Sequence, residues 1–528
     1  MDALAASLQT AADWITVHIT MWVLIATGLF LTVITRGVQV RHLPDMVRQV
    51  GGSRSGAEGG ISSFQAFAIS LAARVGVGNV FGVAAALLMG GPGAVFWMWV
   101  VAGVGMATAF FEATLAQVFK VRASDGSFRG GPAFYMARGV GNRTLAAVFA
   151  AITVVTCGFV ITSVQSNAIA GTLVAALGGG SESPLPGFGG LSAAQLVVAG
   201  LVLVLTAVVV FGGIRAVARV TEWMAPVMAL VYIVLILIIC LVNLDEFLRV
   251  IGRILSSAFA PEPLVGGLGG GVLAAVINGT KRGLFSNEAG QGTAPNAAAT
   301  ATVSHPVQQG FIQSLGVFID TIVVCTATAF VILIAGPQTW TAEGAGPATL
   351  TTLAISHELG GWTVLPMAVL IFVLAYSSII AAYVYSDVNM SYLTGGKRWA
   401  SWAVRVVCVA SATAGAVLAL DVVWNAVDIA MAVMTLTNLI ALLWLSRWGV
   451  GALRDYENQR GEPASPRRRR AGLPRARQPV SARGCARRRL GLRRFPEPRS
   501  HHRGLMIMTT SETTPGTPRP AAVTGADR

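Results

Sequence analysis

The residues best suited to chemistry lie in Gly271-Val-Leu-Ala-Ala-Val-Ile-Asn-Gly-Thr-Lys-Arg-Gly-Leu-Phe-Ser-Asn-Glu-Ala-Gly-Gln-Gly-Thr-Ala-Pro-Asn296. The stretch begins and ends as an apolar helix of small residues. Its middle holds Lys281, Arg282, Asn287 and Glu288 among Gly279, Gly283, Gly290 and Gly292. Ionisable groups at membrane depth are expensive and persist only where they face a protein interior or a water-filled cavity. The glycines beside them predict that the helix opens there, freeing backbone N–H and C=O groups to bind a ligand. A second apolar stretch, residues 63–88, is punctuated in the same way at Gly76-Val-Gly-Asn79. The competing reading of the first stretch is a polar loop between two helices. Two interrupted helices in matching places point to a secondary transporter.

The elements that must position these residues are membrane helices. Hydrophobic residues make up 54% of the chain and charged ones 12%, with a mean hydropathy of +0.66. Soluble domains carry about a quarter charged residues. The formal net charge of +14 suggests nucleic acid until its distribution is read. Residues 467–528 hold 16 arginines against Glu497, Glu512 and Asp527, whereas residues 1–466 hold 22 basic and 21 acidic side chains. The basic character therefore belongs to the tail. From about residue 464 the chain is rich in Arg, Pro, Ser and Thr without periodicity, so 1–463 is read as a membrane domain and 464–528 as a disordered cytoplasmic tail. Anionic lipid is the tail's alternative partner; nucleic acid is not expected. Cys157, Cys240, Cys325 and Cys408 lie in apolar segments and Cys485 in the tail, with no disulfide or metal-ligand spacing.

Apolar runs of about 20 residues give eleven spans. They fall near residues 15–35, 62–90, 93–119, 144–177, 191–213, 217–243, 267–300, 307–336, 362–393, 399–420 and 423–447. The first lacks a basic leader and reads as a retained helix. Basic residues follow spans one, three, five, nine and eleven, whereas loops 178–190 and 337–361 contain none. Arg249 and Arg253 are the exception. The positive-inside rule then places the N-terminus outside and the C-terminus in the cytoplasm. With the first span set aside, spans two to six and seven to eleven form two halves of opposite orientation, each opening with a glycine-broken helix. The fold class expected is an all-α polytopic membrane protein with one N-terminal helix and a five-plus-five inverted repeat.

Several motifs resemble the alanine or glycine:cation symporter family, whose fold is similar to that of LeuT. They are Arg74-Val-Gly-Val-Gly-Asn79, Gly90-Gly-Pro-Gly-Ala-Val-Phe-Trp-Met-Trp99, Gly105-Met-Ala-Thr108, Gly130-Gly-Pro132, Lys281-Arg-Gly-Leu-Phe-Ser-Asn-Glu-Ala-Gly290 and His305-Pro306. The resemblance covers about residues 15–460. It implies uptake of a small neutral amino acid, alanine or glycine above all, coupled to sodium or protons in the cell membrane. No cofactor and no catalytic residue is implied, and a monomer is expected.

A zwitterionic amino acid needs donors for its carboxylate and acceptors for its ammonium group. Exposed N–H groups at Gly76, Val77, Gly78 and Asn79 suit the carboxylate, aided by the positive end of the half-helix beginning near Asn79. Carbonyls around Gly283 to Ser286 suit the ammonium group, and Phe285 can close over the side chain. Close helix packing is the other use of such glycines. By resemblance, Thr162 and Ala382 line the pocket. There the chain departs from the family, which often has Asn at the first position and Gly-Trp where this chain has Ala381-Ala382. The same resemblance assigns sodium to the carbonyls of Ala72, Val75 and Leu374 and the hydroxyls of Ser377 and Ser378. Adjacent serines in a helix can equally be back-bonded to their own turn. Glu288 with Lys281 or Arg282, and Arg74 with an acidic partner, are expected as structural ion pairs. Gly76-Val-Gly-Asn-Val-Phe-Gly82 fails as a dinucleotide fingerprint, with Phe81 at the third glycine position. A carrier of a larger neutral amino acid such as glutamine, or a channel, are the alternatives. An intramembrane enzyme lacks its His, Cys or paired-Asp constellation.

Overall fold

A computed structural model describes residues 14–52, 61–123, 126–177, 191–262, 270–342, 344–418 and 421–461, together with Ser7, Thr10 and Ala11. Loop 178–190, the start of the seventh expected span and the tail 464–528 lie outside the described residues.

The described residues are almost wholly helical. Its membrane-length helices are α1 (Thr16–Ile34), the pair α2 (Ser63–Arg74) and α3 (Gly78–Gly90), α4 (Gly93–Val118), α5 (Arg143–Ala176), α6 (Ala193–Phe211) and α7 (Gly213–Val242). An amphipathic α8 (Leu244–Ser257) and the shorter α9 (Val272–Asn287) and α10 (Ala294–Ala298) follow. The chain continues with α11 (Pro306–Ala335), α12 (Gly361–Thr394), α13 (Arg398–Val417), α14 (Asp421–Trp444) and α15 (Ser446–Gly461). Among the described residues, nine helices are long and apolar enough to cross a membrane, or ten if α2 and α3 form one span bent by 45°. The chain is a polytopic membrane protein.

Local chemistry sets the helix starts. Ser62 Oγ accepts from Gln65 N–H at 3.0 Å and Gln65 Oε1 accepts from Ser62 N–H at 3.0 Å, a capping box for α2. At α11 the ring of His305 accepts from Val307 N–H at 3.2 Å, and Pro306 occupies the first turn, where its missing N–H costs nothing. A hairpin of β1 (Val121–Arg122) and β2 (Phe128–Arg129) follows α4. On the same side α15 is tied down by Glu457, which pairs with Arg41 at 2.8 Å and His42 at 3.0 Å.

Burial separates centre from rim. In α4, 72% of the most apolar window is buried, against 28% in α6. Val197, Val204, Val208, Trp223, Leu230 and Leu241 lie exposed on α6 and α7, an apolar surface that a bilayer would accommodate. At the centre, α2 packs against α7, α11 and α12, and α9 packs against α3 and α4.

The second break is narrower than expected and lies at the end of its stretch. α9 runs without interruption through Lys281, Arg282 and Gly283 to Asn287, and the chain opens only at residues 288–293. The charge of Arg282 is accommodated by an open cavity that it lines, so the helix has no need to unwind there. Gly279 serves packing: a Cβ would stand 2.4 Å from the Ala94 carbonyl oxygen.

Candidate functional site

The first break is a tight turn. Val75 (φ −76°, ψ 81°) lets Gly76 N–H bond to Arg74 O at 2.9 Å, an inverse γ-turn. Asn79 Oδ1 also accepts from Gly76 N–H, at 3.0 Å, so a side chain of the second half-helix braces the turn. A Cβ on Gly76 would collide with Ser378 Oγ, and one on Gly78 would lie 3.0 Å from the Phe285 ring. Both glycines are required by close approach. Val77 is buried between them.

Asn79 then reaches across the bundle. Its amide nitrogen lies 2.6 Å from Asp320 Oδ1 and 3.1 Å from Ser286 Oγ. Ser286 donates to Asp320 Oδ2 at 2.7 Å, and Thr321 donates to the same oxygen at 2.8 Å. Asp320 occupies a π-helical stretch of α11, Phe318–Cys325, a distortion frequent at functional positions. One buried carboxylate thus joins the first break to the end of α9.

The second break is held by another. Glu288 adopts the left-handed region (φ 55°), as do Gly290 (φ 92°) and Gly292 (φ 82°). The N–H groups of Gly290 and Gly292 donate to Glu112 of α4 at 3.2 and 2.9 Å. Asn438 of α14 donates to Glu112 at 2.5 Å and to Gly290 O at 2.9 Å, and accepts from the Tyr135 hydroxyl. Opened backbone in a membrane interior must find such partners. The Glu288 carboxylate accepts from Thr293 Oγ1 at 2.8 Å.

Between the breaks lies a cavity of about 20 Å³, room for roughly one water. Arg74, Gly78, Gln165, Phe285, Glu288 and Ala382 are among its walls. Phe285 also lines a separate cavity of about 650 Å³, so its ring is the partition between the two. The fully buried Arg74 bonds to Gln313 O at 3.2 Å, while its Nε and Nη2 have no partner. Among the described residues no carboxylate lies within ion-pair distance of it, in contrast to the pair expected from the sequence. Thr162 stands apart from the cavity: its hydroxyl donates to Cys157 O at 2.8 Å, closing a π-turn of its own helix. Gly283 lies inside α9 with ordinary contacts to Met98 and Val101, whereas Phe285 and Ser286 belong to its last turn.

Beside the first break, oxygens converge. Ser377 Oγ lies 3.0 Å from Ala72 O and 2.7 Å from Leu374 O, and Ser378 Oγ lies 3.0 and 3.2 Å from the same two. Both serines therefore bond across to α2 as well as back to their own turn. Val75 caps α2 through Leu71 O at 2.8 Å. Neutral hydroxyl and carbonyl oxygens are the donors that suit a hard cation of low charge.

The family model described as the sodium:alanine symporter family matches residues 1–470. This chain belongs to the sodium:alanine symporter family. The amino-acid carrier protein AlsT of Bacillus subtilis is 43% identical over 445 residues, which cover 84% of this chain and 90% of AlsT. The probable sodium/glutamine symporter GlnT of the same organism is 38% identical, covering 84% of this chain and 88% of GlnT. The sodium/alanine symporter AgcS of Methanococcus maripaludis is 36% identical over 80% of this chain and 90% of its own length. The protein is a transporter and not an enzyme. In this symporter, Asp320, Glu112, Asn438 and Gln165 are functional side chains to which the sequence analysis assigns no role. The signal available for all four was a polar group inside an apolar span.

Proposed function

We propose that the protein couples sodium entry to uptake of a small neutral amino acid, alanine or glycine first, by alternating access. The observation that carries this is a small cavity that both broken helices face, with a guanidinium (Arg74) and a carboxyl group (Glu288) on its walls. A zwitterion presents one charge of each sign. Its carboxylate is served by the N–H groups of Val77 and Gly78 at the positive start of α3, because those of Gly76 and Asn79 are already bonded within the turn. Its ammonium group meets the last-turn carbonyls of α9, at that helix's negative end. The cavity is smaller than any amino acid, so loading requires Phe285 to swing aside. Sodium is assigned to the oxygens of Ala72, Val75, Leu374, Ser377 and Ser378, and this ties α2 to α12 while the substrate ties α3 to α9.

The wider placement is part of the same reading. The helices form eleven spans, with α2–α3 and α9–α10 as the two broken ones, in a LeuT-type five-plus-five repeat after α1. The protein works as a monomer in the cell membrane, N-terminus outside and C-terminus in the cytoplasm. Residues 1–463 suffice for transport, and 464–528 are an accessory tail. GlnT's name and the small Ala382 at the cavity wall favour a second reading, a larger neutral amino acid such as glutamine. Counterflow in proteoliposomes with a panel of labelled amino acids separates the two. Exchange of alanine and glycine with exclusion of glutamine supports the first, and exchange of glutamine alone replaces it.

A further inference from the structure

On the side that carries the arginine-rich loops, a cavity of about 920 Å³ lies between the β-hairpin, the α6–α7 corner and the α12–α13 turn. Arg122, Arg129, Arg138, Arg215, Arg398 and Arg405 line it, against one carboxylate, Asp387. Asp387 is engaged by Arg129, Oδ2 to Nη2 at 3.3 Å. Among the described residues, none of the other five arginines has a carboxylate within 4.0 Å. Arg129 itself is nine-tenths buried, and its Nε and Nη1 have no partner. A neutral amino acid leaves this surplus of positive charge unmatched.

Two long helices also begin at the cavity, α7 at Gly213 and α13 at Arg398, and neither start is capped by a side chain. Helix starts with uncapped N–H groups favour an anion. Guanidinium forks fit phosphate oxygens in pairs. The flank of the cavity is apolar and aromatic: Trp402 is 56% exposed, packs on Phe211, and carries Arg405 at 5.6 Å from its ring centroid. Exposed tryptophans beside basic loops mark the headgroup level of a bilayer. Acyl chains have a use for that flank; a soluble phosphate has none.

We infer that this cavity binds the phosphate of an anionic phospholipid headgroup, drawn from the leaflet facing the basic loops. Arg138, Arg215 and Arg398 are exposed and deliver most of the charge. Arg405 is held in place by Tyr383 and Phe211 O, and Arg129 forms the back wall. The inference rests on the membrane placement above and not on which solute is carried.

Native mass spectrometry of the purified full-length protein tests it, titrating phosphatidylglycerol against phosphatidylcholine of the same chain length. The wild type is expected to retain phosphatidylglycerol selectively. The triple variant Arg138→Gln/Arg215→Gln/Arg398→Gln should bind it about 100-fold more weakly, with phosphatidylcholine retention and unfolding temperature unchanged. A control with the same charge change elsewhere, Arg36→Gln/Arg48→Gln/Arg454→Gln, should keep the selectivity. Equal loss in the control makes the effect one of general surface charge and overturns the site. Equal retention in the cavity triple, or displacement of the lipid by millimolar inorganic phosphate, overturns it as well.

Discussion

Asn79 and Asp320, 241 positions apart in sequence, meet at 2.6 Å in the middle of the bundle. Asn79 stands at the start of α3, just past the turn that breaks the second expected span, and Asp320 in the π-helical stretch of α11. Because Ser286 at the end of α9 donates to the same carboxylate, one side chain registers both broken helices.

Replacing that carboxylate should therefore be costly. Asp320→Asn turns an acceptor-only group into one that presents N–H to donors already facing it. Each charge-assisted bond lost costs about 1.5–3 kcal/mol, so initial uptake normalised to membrane level should fall roughly 10- to 100-fold. Unchanged uptake would show that the network is incidental to transport.

Glu112 anchors the second break through three donors, and Glu112→Gln leaves at least one of them facing an amide N–H. A buried donor left unsatisfied costs about 1–3 kcal/mol, so the apparent unfolding temperature in detergent should drop. Glu112→Ala should drop it further. Equal temperatures for all three proteins would mean that the loop holds itself.

The legible part of this molecule was the part written in composition. Apolar runs located most of the helices, and Gly76-Val-Gly-Asn79 located the first break to within a few residues. The second break occupies only the end of the expected stretch: Lys281, Arg282 and Gly283 stay helical, and the chain opens at Glu288, Gly290 and Gly292. Arg282 faces a cavity instead, and the unwound residues 288–293 are marked by Gly290 and Gly292, whose left-handed conformations only the fold reveals. Glu112, Asp320 and Asn438 were visible as polar residues in apolar helices. Their roles depend on partners drawn from three or more spans, which no local pattern encodes.

Ala382 is buried at the wall of the inner cavity, which Phe285 and Gly78 also line. Ala382→Trp should narrow the accepted set toward glycine and alanine, read as the ratio of uptake rates across a labelled panel. Wild-type protein that already rejects everything larger than alanine would remove this role from the position.

Lys120, just beyond α4, donates to Ala301 O at 2.7 Å and lies 4.2 Å from the Phe128 ring centroid. Burial pulls its ammonium group down to about 7. Between there and the unfolded value near 10.4, the unfolded chain binds more protons, so stability rises with pH across this window. At lower pH both states hold the proton and the full burial cost remains. Lys120→Met should raise the apparent unfolding temperature near neutral pH and flatten its rise toward about pH 10. Parallel profiles for the two proteins would contradict this.

In the proposed mechanism, a sodium ion held by α2 and α12 is what the substrate is coupled to. That coupling is tested by uptake of labelled alanine into proteoliposomes across a series of external sodium concentrations, repeated with choline in place of sodium. Ser377 and Ser378 each hold two of the oxygens brought together there. Ser377→Ala and Ser378→Ala should each raise the sodium concentration for half-maximal uptake about ten- to a hundredfold, the effect of losing about 1–3 kcal/mol of binding. Reciprocity requires apparent alanine affinity to fall at low sodium and recover at high sodium. Alanine uptake that proceeds equally well in choline, or a sodium dependence unchanged in both variants, would show that these serines do not hold the coupling ion.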